Sequence, residues 1–158
     1  MVLDSIGASL EVNNSYSAGR ITNTHPIYPN DLSRINNLGN PDFIFLWGGV
    51  NDQNNGIEIG TIDYFIPDEE LDESKFAPAF ILLLRSLSSL YRDSQIIMFV
   101  EDDLDSDYNK TIHDISSHFG LKTIDLGNIS ASKFDALHYN AKGMIQVANE
   151  TLRQLVEE

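Results

Sequence analysis

The sequence predicts an α/β protein, a three-layer α/β/α sandwich built around a parallel sheet. Two continuous apolar runs, 42–47 (DFIFLW) and 95–100 (QIIMFV), carry no polar alternation. Strands of that kind are buried on both faces, as in parallel sheets covered by helices. Between and after them lie segments with apolar residues at helical spacing, and strands separated by single helices imply right-handed crossovers. The chain has 158 residues, 42% hydrophobic and 22% charged, which is the size and composition of one globular domain.

Taken in order, residues 9–13 (SLEVN) read as a short strand, followed by a turn-rich stretch, 14–29. Residues 31–38 begin at an Asp cap and stop at Gly39, so they read as a short helix. The strand 42–47 is bounded by Pro41 and by Gly48 and Gly49. Residues 51–74 form a long acidic loop. Ser74 is expected to cap a helix running to about Tyr91, with Phe80, Leu83, Leu84, Leu87 and Leu90 inward and Pro78 in the first turn. After the strand 95–100 comes an amphipathic helix, 107–119, with Ile112, Ile115 and Phe119 inward and Gly120 as its stop. A further strand is expected at 122–126. Asn140 caps a last helix to Leu155, with Met144, Val147, Ala148 and Leu155 facing the core. In such folds sites lie at the carboxyl ends of the strands, here the loops after Asn13, Trp47, Val100 and Leu126.

Charge narrows the function. Asp and Glu total 24 against 10 Lys and Arg, a formal charge of −14. That surface repels phosphate backbones and anionic headgroups, so nucleic-acid and peripheral membrane binding are not expected. With no cysteine, disulfides, thiolate metal sites and a Cys nucleophile are excluded. The longest apolar runs, 43–47 and 76–84, are too short to span a bilayer or to serve as a signal peptide's apolar region. If Met1 is the true start, the chain stays in the cytoplasm.

Three constellations could do chemistry. Asp135 and His138 lie three apart, in a loop before a helix. An Asp so placed can hold the imidazole Nδ1–H and leave Nε2 to take a proton from a hydroxyl; the plain alternative is a loop whose Asp and His satisfy local backbone groups. Asn51 follows Gly48 and Gly49 directly after a buried strand, where its amide can donate into the crevice as an oxyanion donor must. Gly19 closes the turn after residues 9–13, where a glycine N–H can meet developing negative charge. Each of the last two alone reads as an ordinary turn.

Together, in this order and on these strand ends, they resemble the SGNH hydrolases, the GDSL-type lipases and esterases. The residues that match are Gly19, Gly49-Val50-Asn51-Asp52 and Asp135-Ala136-Leu137-His138, within a likeness reaching from about Leu10 to Leu155. The resemblance implies a flavodoxin-like sandwich and serine ester hydrolysis of acyl or carbohydrate esters. His138 would be the base, Asp135 its orienting partner, and the Gly19 N–H and Asn51 amide oxyanion donors, with no cofactor or metal. The competing class is a non-catalytic pseudoenzyme or binding module with a remnant pocket.

One block departs from the family. Its nucleophile is the Ser of a G-D-S motif ending strand one. Asp4-Ser5 imitates that motif, with Leu3 in place of the Gly. Ser5 stands only four residues before Ser9, too few for a crossover helix, which averages about 11 residues. The expectation is therefore a single domain lacking strand one and the nucleophile, either a natural truncation or a fragment. In the family order 2-1-3-4-5, strand one lies between segments 9–13 and 42–47. Those two must close on each other or leave unpaired edges, so self-association through the sheet is expected.

Two weaker signals remain. Asp103, Asp105 and Asp107 have the first spacings of a calcium loop, but Tyr108 and Asp114 stand where Gly and Glu belong, so a solvated capping loop is expected. His25, His113 and His118 show no metal-ligand pattern. Asp102 and Asp103 follow a strand end and can line the mouth of the site.

Overall fold

The structure is a computed structural model that describes residues 7–24 and 35–156. Its sheet has three parallel strands in the order β1-β2-β3: β1 (Phe43–Trp47), β2 (Gln95–Val100) and β3 (Lys122–Asp125). Phe43 is registered with Gln95 and Trp47 with Phe99; on the other side of β2, Ile97 meets Lys122 and Val100 meets Asp125. Among the described residues no strand pairs with the other edge of β1.

Among the described residues four α-helices accompany the sheet: α1 (Val50–Asn54), α2 (Phe76–Leu90), α3 (Ser106–His118) and α4 (Ala141–Val156). Because side chains alternate along a strand, β2 serves two cores. Ile96, Met98 and Val100 pack with Ile44 against α2 and α3, where Phe80, Leu84, Leu87, Ile112 and Ile115 are buried. Ile97 and Phe99 face the other way, with Ile124, Leu126 and Val147 of α4. The result is the expected three-layer α/β fold with a parallel sheet.

The helices obey the predicted faces with local exceptions. Helix α2 begins after Lys75 without a side-chain cap, because the Ser74 hydroxyl donates to Asp72 instead. Leu90, expected inward, is half exposed in the last turn, and Met144 of α4 also faces out. Helix α3 is capped by Asp105, whose carboxylate accepts from the N–H groups of Asp107 and Tyr108 at 3.0 and 2.9 Å. Asn140 caps α4 as expected, its Oδ1 accepting from Gly143 N at 3.0 Å.

Two expectations are corrected. Residues 9–13 form no strand: they are exposed chain, with Leu10 65% and Val12 41% exposed. A strand exists only through its hydrogen-bonded neighbour, and among the described residues this segment pairs with none. The stretch 51–74 is not all loop, since α1 starts immediately after β1. Gly49 makes that turn possible at φ 105°, a conformation L side chains rarely adopt. The expected helix 31–38 falls largely outside the described residues, as do His25 and Asp4-Ser5.

Leu84 of α2 is fully buried in the larger core. Leu84→Ala is expected to cost about 2–5 kcal/mol of folding stability through the lost transfer energy and residual cavity. A urea titration checks this: the midpoint should fall with the slope unchanged, and a midpoint within error of the parent would contradict the assigned core.

Candidate active site

Three of the four predicted site residues line one crevice beside β1, and the fourth, Asp135, is bonded to one of them, His138. Gly19, Asn51 and His138 all line a groove of about 780 Å³ that runs beside β1. How each reaches that place is set by a separate local device.

Asp52, adjacent to Asn51, points inward and is completely buried. Its carboxylate accepts from Ile21 N at 3.0 Å, Thr22 N at 3.0 Å and the Thr22 hydroxyl at 2.8 Å. Burial pushes its carboxyl above the usual range, and these three donors pull it back. The effect is to tie the turn carrying Gly19 to the start of α1. Across that tie the Asn51 amide donates to the Gly19 carbonyl at 2.9 Å, while the Gly19 N–H closes a turn on the Tyr16 carbonyl at 3.3 Å. An amide NH₂ has two hydrogens, so Asn51 keeps a second donor. The Gly19 N–H, in contrast, is engaged and would have to leave Tyr16 to serve an oxyanion.

Asp135 and His138 sit on a small hairpin closed by the antiparallel bridge Lys133↔Tyr139. His138 Nδ1 lies 2.8 Å from Asp135 Oδ2. The other carboxylate oxygen accepts from the N–H groups of Leu137 and His138 at 2.8 and 2.7 Å. These backbone donors, with the imidazole third, hold the Asp135 carboxyl down to about 2. The Phe134 ring stacks on the imidazole at 5.5 Å. Both members of the pair are open to water, the Asp135 side chain 44% and the His138 side chain 68% exposed. Among the described residues no hydroxyl is hydrogen-bonded to His138.

A polar clamp fastens this hairpin to the end of β2. The Tyr139 hydroxyl donates to Glu101 at 2.6 Å and to Asp102 at 2.9 Å. Lys133 pairs with Asp102 at 3.0 Å and Asp103 at 2.5 Å, and Trp47 of β1 donates its indole N–H to Glu101. Burial raises the Glu101 carboxyl against these two donors. On the far side, α4 approaches so closely that a Cβ on Gly143 would stand 1.9 Å from the Ser132 carbonyl oxygen. Only glycine fits there.

The sequence suggested Asp135, His138, Asn51 and Gly19 as candidates and gave no signal for the residues that hold them. Asp52 was visible beside Asn51 with no signal for its burial, and Tyr139 and Lys133 flank the hairpin without any motif. The acidic cluster is absorbed structurally: Asp103 and Asp102 neutralise Lys133, and Asp105 caps α3.

Two expectations follow. Asp52→Ala should destabilise the fold by about 2–4 kcal/mol, since it strands two buried N–H groups, while Asp52→Asn should lose less because it keeps an acceptor. Thermal and urea unfolding check this order, and equal losses for both would contradict it. For Asp135, the folded pKa of about 2 lies below the ordinary carboxylate value of ~3.9. The stabilisation it brings is therefore present above ~3.9 and lost as pH falls through about 2. Carbon-detected NMR of the carboxyl should show a midpoint near 2; a midpoint near ~3.9 would mean the hairpin is not formed.

The comparisons with known proteins bear on the fold and the family. A crystal structure of a protein assigned as a GDSL-like lipase from Bacteroides uniformis superposes with a TM-score of 0.85 at 30% identity, over 98% of this chain and 73% of that one. A second, likewise assigned, from Bacteroides ovatus gives 0.86 at 27% identity, over 99% and 76%. A protein from Lactobacillus plantarum shares the fold at a TM-score of 0.70 and 19% identity, over 88% and 77%. No match was found among curated proteins. The model of the GDSL-like lipase/acylhydrolase family matches residues 1–155, and the chain belongs to that family.

Proposed function

We propose that this chain carries the base and oxyanion half of a serine ester hydrolase acting on acyl or carbohydrate esters. The observation that supports it is the 2.8 Å contact of His138 Nδ1 with Asp135, at the end of the groove that Asn51 also lines. With Nδ1–H given to Asp135, Nε2 is the basic nitrogen. A serine hydroxyl presented there would give its proton to Nε2 as its oxygen attacks the ester carbonyl. The oxyanion would be met by the second N–H of Asn51, and by the Gly19 N–H once it leaves Tyr16. His138 would then return the proton to the departing alcohol, and water would cleave the acyl-serine by the same route.

The hydroxyl is the missing part. Among the described residues this reading assigns the base, its orienting carboxylate and the oxyanion donors, and no nucleophile. A second reading, a non-catalytic binding module with a remnant pocket, is favoured by the same absence of a hydroxyl bonded to His138 among the described residues.

Incubation with a fluorophosphonate probe and a p-nitrophenyl ester separates these. The isolated chain should leave every serine unlabelled and hydrolyse the ester no faster than a His138→Ala variant, because without the nucleophile only a small fraction of the rate survives. Stoichiometric labelling of Ser5, Ser15 or Ser17, abolished in His138→Ala, would place the nucleophile inside this chain and overturn the reading.

A further inference from the structure

The clamp behind His138 is one hydrogen short. Tyr139 Oη lies 2.6 Å from Glu101 Oε2 and 2.9 Å from Asp102 Oδ1. A phenol carries a single hydrogen, and an ionised carboxylate carries none. With both carboxylates ionised, that hydrogen can serve only one of the two contacts fully, and the other sets oxygen lone pairs against each other. The neighbouring donors do not fill the gap. The indole N–H of Trp47 goes to Glu101 Oε1, on the far side of the carboxyl. The Lys133 ammonium goes to Asp102 Oδ1 at 3.0 Å and to Asp103 Oδ2 at 2.5 Å.

We propose that Glu101 is a positioning residue whose Oε2 carries a proton, that this proton completes a chain from Glu101 through Tyr139 to Asp102 gripping the hairpin of His138, and that the grip loosens as pH rises and the proton leaves. In that chain each hydrogen is used once. Glu101 Oε2–H donates to Tyr139 Oη, the phenol donates to Asp102 Oδ1, and Glu101 Oε1 still accepts from Trp47. The inference concerns how His138 is held and does not rest on the hydrolase reading.

The charges around the pair say which carboxyl keeps the proton. Asp102 has the Lys133 ammonium bonded to it, whereas Glu101 is bonded only to the neutral indole and phenol among the described residues. Burial raises the Glu101 carboxyl most, Tyr139 and Trp47 pull it back, Asp102 raises it and Lys133 lowers it. Glu11, Arg20, Asp42 and His138 line the same groove and do not bond it among the described residues. Because its folded value is raised, the stabilisation from Glu101 is fully present below the ordinary ~4.3 and is lost as pH rises through the raised value.

Loss of the proton reaches His138 through the hairpin's own closure. Tyr139 and Lys133 are the two residues of the bridge that shuts it. That closure also carries the bonds from Phe134 N to the His138 carbonyl at 3.0 Å and from Asn140 N to the Ser132 carbonyl at 3.1 Å. An ionised Glu101 adds a third carboxylate charge around one ammonium, so the bridge opens locally more often.

The test is a pH titration of the full chain by NMR. The carboxyl carbon of Glu101 and the indole N–H of Trp47, the sole tryptophan, should titrate together with a midpoint above ~4.3. Across it, exchange protection of the Phe134 and Asn140 amides, corrected for intrinsic rates, should fall about tenfold for each unit by which the midpoint exceeds ~4.3. Glu101→Gln can donate to Tyr139 and accept from Trp47 without titrating, so it should hold the low-pH protection throughout. Asp102→Asn can itself donate to Tyr139, so it should move the Glu101 midpoint down towards ~4.3. A Glu101 midpoint at or below ~4.3 overturns the inference. So does hairpin protection that is unchanged across the midpoint, or whose pH dependence survives in Glu101→Gln.

Discussion

One buried carboxylate organises the end of this molecule where the candidate site lies. Asp52 has no exposed surface and no cationic partner among its contacts; it is held by two backbone N–H groups and one hydroxyl from residues 21 and 22. Burying a charge in this way is costly, and the cost is offset only while all three donors stay in place. The turn from Gly19 to Thr22 therefore cannot drift from the start of α1 without exposing an unsatisfied charge. That constraint fixes Asn51 beside Gly19, and it sends the chain between Tyr16 and Ile21 along the far wall of the groove.

The sheet explains why the site is open. Parallel strands are stable when both faces and both neighbours are supplied. Here β2 has all of these, and its interior residues are buried, whereas β1 has one neighbour and shows 38% of Phe43 and 42% of Trp47 to solvent. An aromatic row, Phe43, Phe45, Phe99, Trp47 and Tyr139, with neighbouring centroids 4.7–6.3 Å apart, continues across this half-covered face to the hairpin of His138. Asp135 and His138, at the end of that row, are likewise exposed among the described residues.

The sequence made some of this legible and not the rest, for physical reasons. Strand β2 and the caps at Asn140 and Asp105 depend on local rules, unbroken apolarity and short polar side chains at helix starts, and such rules can be read from a few residues. Helix α1 escaped because five residues are too few for a periodic signal; only the positive φ of Gly49 creates it. Residues 9–13 have the composition of a strand, yet strand formation is decided by a partner, which composition cannot supply. Asn51, Asp135 and His138 were recognisable as residue types at a spacing. Asp52, Glu101, Tyr139 and Lys133 act across 30 or more residues of sequence, as in Thr22–Asp52 or Lys133–Asp102, and such contacts leave no local mark.

The supports of the candidate site are independent of one another and of any hydroxyl at His138. Asp52 sets the Gly19 turn. Gln53 of α1 reaches the loop after β2, donating to the Asp103 carbonyl at 3.0 Å and accepting from Asp105 N at 2.7 Å. Tyr139 and Lys133 fasten the hairpin to that same loop, and Gly143 lets α4 press against it from behind. Because each device is satisfied among the described residues, the relative placement of Asn51, Asp135 and His138 is a property of the folded chain itself. The residues that hold the fold of this end, Asp52, Gln53, Tyr139, Lys133 and Gly143, are thus different from those to which the proposed chemistry is given.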